Sequence, residues 1–503
     1  MSREIRQWLS LVALLALLLA PAGLRWPALA GAAVALGAAT AVRALARRVH
    51  AQALLGRSSG AIVLGSDRRG QPVALSEREL AAHGLILGAS GAGKTTSLLA
   101  ILTERVLAGA PVVALDLKGS PAFAHQLADA CAAAGRRLRL WTPEGPERWN
   151  PLGHGNPTEL KDRLIASERY SEPHYQRAAE RYLQRALIAA AELHPGRAPT
   201  LGEVVGLLDP SVLAGSVRAL APALARALGD YLASLTQDQL SAVRGLQTRL
   251  AVLSESCCGP YLEHAVGAID LHTALEGGEV VLFSLPSSRY GKLAAQVGTL
   301  AIQELIAAAG RRLDPIDDAH PLPLATVAID EFSALGAENV LALLARGRES
   351  GVSVLLATQE LADLERAARG LRDQVLGNTA LKLIHRQEVP SSAETLALLG
   401  GTHEEWEYSY QRDSGLLASH ARTRASMRQI RRLNVEPDAI RALATGEAVR
   451  ISAHAPRRAQ IVHVAPPRKR AGVPGRHDGS APHGPPLLVR SRKADRTTHE
   501  HGR

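Results

Sequence analysis

The chain has 503 residues, more than one hydrophobic core normally supports, so we expect two or three folded units. Its three cysteines, Cys131, Cys257 and Cys258, fit neither a disulfide framework nor Cys-x-x-Cys metal spacing, and we predict no structural metal. The formal net charge is +10, but residues 1–50 carry +5 and residues 466–503 carry +6. Because the body between them is nearly neutral, the net charge of the chain is not evidence that the body binds nucleic acid.

Two uncharged apolar runs lie at the N-terminus, at residues 7–24 and 26–42. Each is at the short end of what spans a bilayer. Arginines lie mostly outside the pair rather than in the turn between the runs, which by the positive-inside rule favours both ends in the cytoplasm. We predict a transmembrane helical hairpin at residues 1–48. The alternatives are a cleaved signal peptide, with an exit site at residues 28–30, or a hairpin buried in a soluble domain.

A glycine-rich segment runs from Gly88 to Thr95 and matches the phosphate-binding pattern G-x-x-x-x-G-K-[ST] at every fixed position. Residues 85–87 before it predict a strand and residues 96–102 after it predict a helix, which is the context that the motif requires. Lys94 is expected to reach the β- and γ-phosphates of ATP, and Thr95 to hold Mg²⁺. A chance glycine-rich turn is the alternative. The predicted nucleotide-binding residues are Gly88, Ala89, Ser90, Gly91, Ala92, Gly93, Lys94, Thr95 and Thr96.

Apolar runs alternate with helical patterns on both sides of a long helical block. Strands are predicted at residues 111–116, 138–141 and 279–285, with a turn at residues 67–70 ahead of the phosphate loop. This alternation predicts an α/β fold with a mostly parallel sheet covered by helices on both faces. We divide the chain into the hairpin at 1–48, a nucleotide-binding domain in two parts at 49–152 and 276–464, an inserted all-helical domain at 153–275, and a basic, disordered tail at 465–503.

Two further apolar runs end in polar residues. The run at residues 324–329 predicts a buried strand that ends at Asp330 and Glu331. We expect Asp330 and Thr95 to hold Mg²⁺, and Glu331 to orient or deprotonate the attacking water. The run at residues 352–357 ends at Thr358 and Gln359, where a polar side chain can sense the γ-phosphate or position water. A solvated strand end and a helix cap at Thr358 are the alternatives. The predicted catalytic residues are Lys94, Asp330, Glu331 and Gln359.

Two features of the sequence, the candidate arginines and the turn at residues 116–119, can be interpreted in more than one way. Multi-subunit P-loop motors usually complete the site with an arginine from the neighbouring subunit, and several arginines of this chain qualify by region. The turn at residues 116–119 places Lys118 near the nucleotide or a subunit interface, or is an ordinary turn. The candidate arginines are Arg346, Arg348, Arg372 and Arg386.

Taken in order, these features resemble the type IV secretion coupling proteins, the TraG/TraD-like conjugation ATPases. The resemblance covers roughly residues 1–465. The matching segments are the hairpin, Gly88–Thr95, Asp116-Leu117-Lys118-Gly119, Asn150-Pro151-Leu152, the helical insertion, Val327-Ala328-Ile329-Asp330-Glu331-Phe332, Ala357-Thr358-Gln359 and Leu398-Leu399-Gly400.

The resemblance implies a RecA-like P-loop NTPase that forms a hexamer in the inner membrane, multi-pass, with its ATPase body in the cytoplasm. It also implies a relaxase–DNA complex as cargo, with single-stranded DNA, and secretion-channel components as partners. The very short outer turn and the basic tail depart from the family pattern. A membrane motor for protein substrates or assembly, and a nucleotide-binding scaffold, are the alternative functions. The carboxylate of Glu331 argues against the scaffold, because a pure switch needs no catalytic base.

Overall fold

The structure is a computed structural model, and it describes part of the chain. The described residues are 61–467, except 169, 171, 278, 314–321, 413–422 and 456–457. The predicted hairpin at residues 1–48 and the tail beyond residue 467 lie outside them.

Eleven of the described strands form one mixed sheet. They are β1 Ile62–Asp67, β2 Pro72–Leu75, β3 Gly84–Leu87, β4 Val112–Asp116, β5 Leu138–Trp141, β6 Val280–Ser284, β7 Ala325–Asp330, β8 Val352–Thr358, β9 Leu381–Ile384, β12 Glu447–Ser452 and β13 Ala459–Val464. The order is β2-β1-β13-β12-β9-β3-β8-β7-β4-β6-β5. Neighbours from β9 to β5 are parallel, and the β2-β1-β13-β12 end pairs antiparallel. Strands β10 Thr402–Arg412 and β11 Thr423–Leu433 form a separate hairpin.

Helices connect the parallel strands and fill the long gap between β5 and β6. The helices are α1 Glu77–Ala81, α2 Lys94–Leu107, α3 Pro121–Ala133, α4 Pro157–Ala166, α5 Pro173–Leu193, α6 Leu201–Leu207, α7 Pro210–Ser216, α8 Pro222–Ala233, α9 Gln237–Ser254, α10 Leu271–Glu276, α11 Ser287–Tyr290, α12 Lys292–Arg311, α13 Ala337–Glu349, α14 Leu361–Ala367, α15 Leu371–Asn378, α16 Pro390–Leu399 and α17 Pro437–Arg441. Capping boxes at Asn156, Thr200 and Thr236 begin α4, α6 and α9, where side chains satisfy free backbone N–H groups.

The central strands are apolar along their whole length because the sheet is covered on both faces. Along β4, Val113 and Leu115 pack into one core cluster, and Val112 and Ala114 pack into the other. Successive side chains of a strand point to opposite faces, so each cluster lies on one face of the sheet. The predicted parallel sheet with helices on both faces is confirmed.

The helical segment between β5 and β6 shares its core with one face of the sheet. The rings of Trp149 and Phe283 lie 5.0 Å apart between centroids, and those of Trp141 and Phe283 lie 5.7 Å apart. The same cluster continues into the segment through Tyr182 and Leu246. The boundaries at residues 153 and 275 therefore remain predictions, because apolar packing is continuous across them.

In the described part of the chain, one helix is long and apolar enough to cross a membrane by length and composition. This helix is α12, and 67% of its apolar window is buried inside the protein. Leu300, Ala301 and Leu305 of α12 belong to the core cluster. A core helix passes the same test, so α12 adds nothing to the prediction at residues 1–48.

The carboxyl ends of four parallel strands meet at one edge of the sheet. Asp116 is the register partner of Asp330, and Asp330 that of Ala357. On the other side of β8, Leu87 pairs with Thr358. The phosphate loop therefore follows β3 at the same edge at which the strand-end carboxylates lie.

Candidate functional site

The phosphate loop connects β3 to α2 and contains three glycines, which are required for two different reasons. Gly91 and Gly93 have φ angles of 76° and 109°, a region that L side chains rarely adopt. Gly88 is packed so closely that a Cβ there would lie 2.7 Å from the Cβ of His385. The first turn of α2 contains no acidic residue, so its N-terminal dipole is left free to attract an anion.

One carboxylate oxygen at the sheet edge accepts from three side chains. Glu331 Oε1 lies 3.1 Å from Lys94 Nζ and 2.7 Å from Lys118 Nζ. Gln359 Nε2 donates to the same oxygen at 3.0 Å. The structure therefore brings together Lys94, Glu331 and Gln359, which the sequence motifs place on three separate segments.

Asp330 has the geometry of a metal ligand. Thr95 Oγ1 donates to its Oδ2 at 3.2 Å, and its Oδ1 is buried with no hydrogen-bond partner among the described residues. An unpaired buried carboxylate oxygen is costly unless a cation satisfies it. The hydroxyl and carboxylate are hard oxygen donors of the kind that Mg²⁺ prefers, with water and phosphate completing its shell. These two residues fit the predicted Mg²⁺ site.

The backbone of Glu331 is unusual and explains where its side chain lies. Its φ and ψ are 59° and 43°, in the left-handed region, immediately after β7 ends. Among the described non-glycine residues, only His83 shares a positive φ. Such a conformation costs about 1–3 kcal/mol and persists only where surrounding contacts hold it. Here the two lysines and Gln359 supply those contacts.

Burial and charge act in opposite directions on the ionisable groups of this site. Burial raises the pKa of Asp330 and lowers the pKa of Lys94. Burial alone would raise the pKa of Glu331, but the hydrogen bond from Lys118 and the charge of Lys94 outweigh it and lower that pKa. Glu331 is therefore an ionised carboxylate at neutral pH.

Lys118 is a site residue whose position the sequence left open. It follows Asp116, whose carboxylate accepts from the backbone N–H groups of Lys118 at 2.9 Å and Ser120 at 2.6 Å. The carboxylate of Asp116 therefore shapes a turn, and the ammonium group of Lys118 reaches Glu331.

His385 is a site residue that motif reasoning missed, because a single histidine after a strand carries no signal. Its Nδ1–H donates to the backbone oxygen of Glu447 at 2.9 Å, so Nε2 accepts from Ser97 Oγ at 2.9 Å. Burial lowers the pKa of His385 to about 4, which keeps the ring neutral. The ring supports the phosphate loop at Gly88 and the first turn of α2.

The remaining predicted residues lie around this centre. Thr96 is exposed on the first turn of α2, and Thr358 Oγ1 donates to Ser333 Oγ at 3.3 Å. Lys118, Ser333 and Gln359 line an open cavity of about 470 Å³ beside Glu331.

The four candidate arginines lie at two kinds of position. Arg346 and Arg348 are exposed in the last turn of α13. Arg372 pairs with Asp373 at 2.8 Å, and Arg386 pairs with Glu388 at 2.9 Å. The action of any of them on a neighbouring subunit remains a prediction.

Two family models match parts of the chain. The family described as the TraM recognition site of TraD and TraG matches residues 325–445, and the FtsK/SpoIIIE family matches residues 44–112. These two ranges contain the carboxylate pair and the phosphate loop, respectively. No curated protein sequence matches the chain.

Solved structures share the fold over most of the chain. The unbound bacterial conjugative coupling protein TrwBΔN70 is 16% identical with a TM-score of 0.59, covering 82% of this chain and 89% of that one. The plasmid coupling protein TrwB with ADP and Mg²⁺ is 15% identical, with a TM-score of 0.58 and coverages of 81% and 90%. VirB4 of Thermoanaerobacter pseudethanolicus is 16% identical, with a TM-score of 0.51 and coverages of 83% and 98%. These findings confirm the resemblance to TraG/TraD-like coupling ATPases and the prediction of a P-loop ATP hydrolase.

Proposed function

We propose that this chain is a membrane-anchored motor ATPase that couples ATP hydrolysis to the recruitment and translocation of DNA into a type IV secretion or conjugation channel. The single observation that carries the motor part is the cluster of Lys94, Glu331 and Gln359 beside the phosphate loop. The TraG/TraD family match over residues 325–445 and the TrwB-like fold support the conjugative part.

Nucleotide binding changes the partners of Lys94. The N–H groups of the phosphate loop and the N-terminus of α2 bind the phosphates of ATP. Lys94 Nζ then leaves Glu331 Oε1 and interacts with the β- and γ-phosphates. When bound, Mg²⁺ supplies positive charge to the phosphate oxygens, and Thr95 and Asp330 would hold it.

In the hydrolytic step, Glu331 accepts a proton from a water molecule. The water oxygen attacks the γ-phosphorus, and the bond from that phosphorus to the bridging oxygen breaks. The products are ADP, inorganic phosphate and one proton, which Glu331 releases to solvent. Gln359, hydrogen-bonded to Glu331 at 3.0 Å, orients the carboxylate or the water.

The assembly and partners extend the same proposal. We infer a homohexamer in the inner membrane, anchored through residues 1–48, with its ATPase body in the cytoplasm. Its cargo is a relaxase complex with single-stranded DNA, handed to secretion-channel components. The family that matches residues 325–445 is described as the TraM recognition site of TraD and TraG, which supports contact between this part of the chain and a TraM-like partner.

A motor for protein substrates, or for assembly without DNA, is the second candidate. The observation that favours it is the near-neutral charge of the body, since the excess positive charge lies in residues 1–50 and 466–503. A DNA path then requires a local basic surface inside the assembly.

ATP turnover by the full chain in detergent or lipid vesicles, with and without single-stranded DNA, distinguishes the two candidates. Stimulation by DNA that disappears in a Lys94→Ala variant supports the DNA motor. An active protein whose turnover is unchanged by DNA at low and physiological salt supports the protein motor instead.

A further inference from the structure

The turn after β4 is built to hold one lysine in place. The two oxygens of Asp116 accept from Lys118 N and Ser120 N. Gly119 has a φ of 64°, and a Cβ there would lie 2.6 Å from the Cβ of Pro286. The turn therefore has little freedom to move, and it projects Lys118 across the sheet edge toward Glu331.

The two lysines that contact Glu331 differ in position and exposure. Lys118 Nζ is closer to Oε1, at 2.7 Å against 3.1 Å for Lys94. The side chain of Lys118 is 41% exposed and borders the open cavity, whereas that of Lys94 is 4% exposed on the phosphate loop. Only Lys94 lies where bound phosphates draw its charge away from Glu331.

We propose that Lys118 is a positioning residue that holds the carboxylate of Glu331 in place once Lys94 has turned to the phosphates. This inference rests on the proposed hydrolytic role of Glu331. The carboxylate then keeps two contacts to Oε1, from Lys118 Nζ at 2.7 Å and from Gln359 Nε2 at 3.0 Å. Because these two groups hold Oε1, Oε2 is left to take the proton from water.

The proposal predicts a specific split between the kinetic constants. Removal of the Lys118 ammonium group leaves Gln359 as the described contact to Oε1, so the carboxylate is less well oriented toward water and kcat falls. The phosphate loop is unchanged, so the KM for ATP stays near the wild-type value. A purely structural role for Lys118 would instead destabilise the turn, and an arginine in its place would then not restore kcat.

The experiment measures kcat and the KM for ATP of the full chain for the wild type and for the Lys118→Ala and Lys118→Arg variants. We expect Lys118→Ala to lower kcat at pH 7 by about tenfold or more, with KM within about threefold, since the base is less well oriented and the phosphate loop is intact. Lys118→Arg keeps a cationic donor for Oε1 and should retain a kcat within about threefold of the wild type. Lys292→Ala, which removes an exposed lysine at the start of α12, is the matched control and should behave as the wild type.

Binding of a fluorescent ADP analogue shows whether each variant is folded. An unchanged kcat in a folded Lys118→Ala variant overturns the inference, as does a folded Lys118→Arg variant that is no faster than Lys118→Ala. So does increased turnover, which makes Lys118 an inhibitor that holds Glu331 away from water. Absence of turnover in the wild type with every nucleotide tested contradicts the proposed function itself, so the two failures are distinguishable.

Discussion

One cluster of buried ionisable groups lies at the sheet edge, and another lies at the junction of α12 with the helical segment. Both contain a buried carboxyl group, but the two clusters have different surroundings. At the edge, Asp330 Oδ1 has no hydrogen-bond partner in the part of the chain that the structure describes, and Lys118 borders an open cavity. At the junction, Glu304 is 1% exposed and accepts from Trp149 Nε1 at 2.7 Å. Buried charge by itself therefore does not mark a reaction site. We propose that access from solvent, together with an unpaired acceptor beside a phosphate loop, distinguishes the sheet-edge cluster as the reaction site.

The junction cluster is arranged to neutralise its own charges. Asp270 Oδ1 lies 3.1 Å from Nε2 of His154, whose pKa is raised by that contact. The Nε2 atom of His272 has no hydrogen-bond partner among the described residues, but burial lowers the pKa of its ring to about 3. The unpaired atom of His272 is thus on a neutral group, in contrast to the carboxylate of Asp330.

Of the substitutions that test this comparison, Lys94→Ala is expected to have the largest effect. Removal of the phosphate-loop ammonium group should lower ATP turnover by about 10³-fold or more, because it loses an electrostatic contact to the transferred phosphoryl group. Glu331 keeps Lys118 and Gln359, so the melting temperature should change by no more than about 4 °C. Steady-state turnover and thermal unfolding measure the two effects, and retained turnover would remove Lys94 from the mechanism.

A smaller effect, on stability, is expected at the junction. Burial raises the pKa of Glu304 to about 7. The folded state then binds more protons than the unfolded state above the ordinary carboxyl pKa, so this group destabilises the fold progressively as pH rises toward 7. The loss amounts to up to about 3 kcal/mol between pH 4.5 and 8.

Urea unfolding at pH 5 and pH 8 checks that expectation for Glu304. The Glu304→Gln variant keeps an acceptor for Trp149 and carries no titrating proton, so its stability should depend less on pH than that of the wild type. Equal pH dependence in both proteins would show that Glu304 titrates normally.

The smallest predicted effect concerns the support behind the phosphate loop. His385→Ala removes the hydrogen bonds to Ser97 and to the backbone oxygen of Glu447. We expect the KM for ATP to rise by about three- to tenfold with a smaller change in kcat, since the loop loses rigidity and the catalytic carboxylate stays in place. A change confined to kcat would place His385 in the chemical step instead.

The parts of this fold that could be predicted have local signals in the sequence. The glycine pattern before Lys94 and the apolar runs of β4, β7 and β8 identify the loop and the parallel strands without any long-range information. The turn at residues 67–70 is also predicted from the sequence, but strands β1 and β2 on either side of it are not. Strand β1 pairs with β2 across this turn and with β13 on its other side, almost 400 residues away in the chain, and pairing over such a distance leaves no pattern in either segment.

The candidate site likewise contains residues that the sequence predicts and contacts that it does not. The motifs identified Lys94, Asp330 and Glu331, but not the left-handed backbone of Glu331, which is imposed by tertiary contacts on a residue that rarely adopts it. The contact from Lys118 likewise depends on the order of β4 and β7 in the sheet. The role of a charged side chain in this site therefore depends on which residues the sheet topology places beside it.

The most direct test of the account is a single-turnover comparison of two glutamates, Glu331→Gln and Glu304→Gln, with ATP in the full chain. Both replacements exchange one carboxyl group for an amide at nearly constant volume. The account predicts that Glu331→Gln binds ATP and hydrolyses it about 100-fold or more slowly than the wild type, while Glu304→Gln hydrolyses it at the wild-type rate. Wild-type hydrolysis by a folded Glu331→Gln variant would contradict the assignment of the sheet-edge cluster as the reaction site.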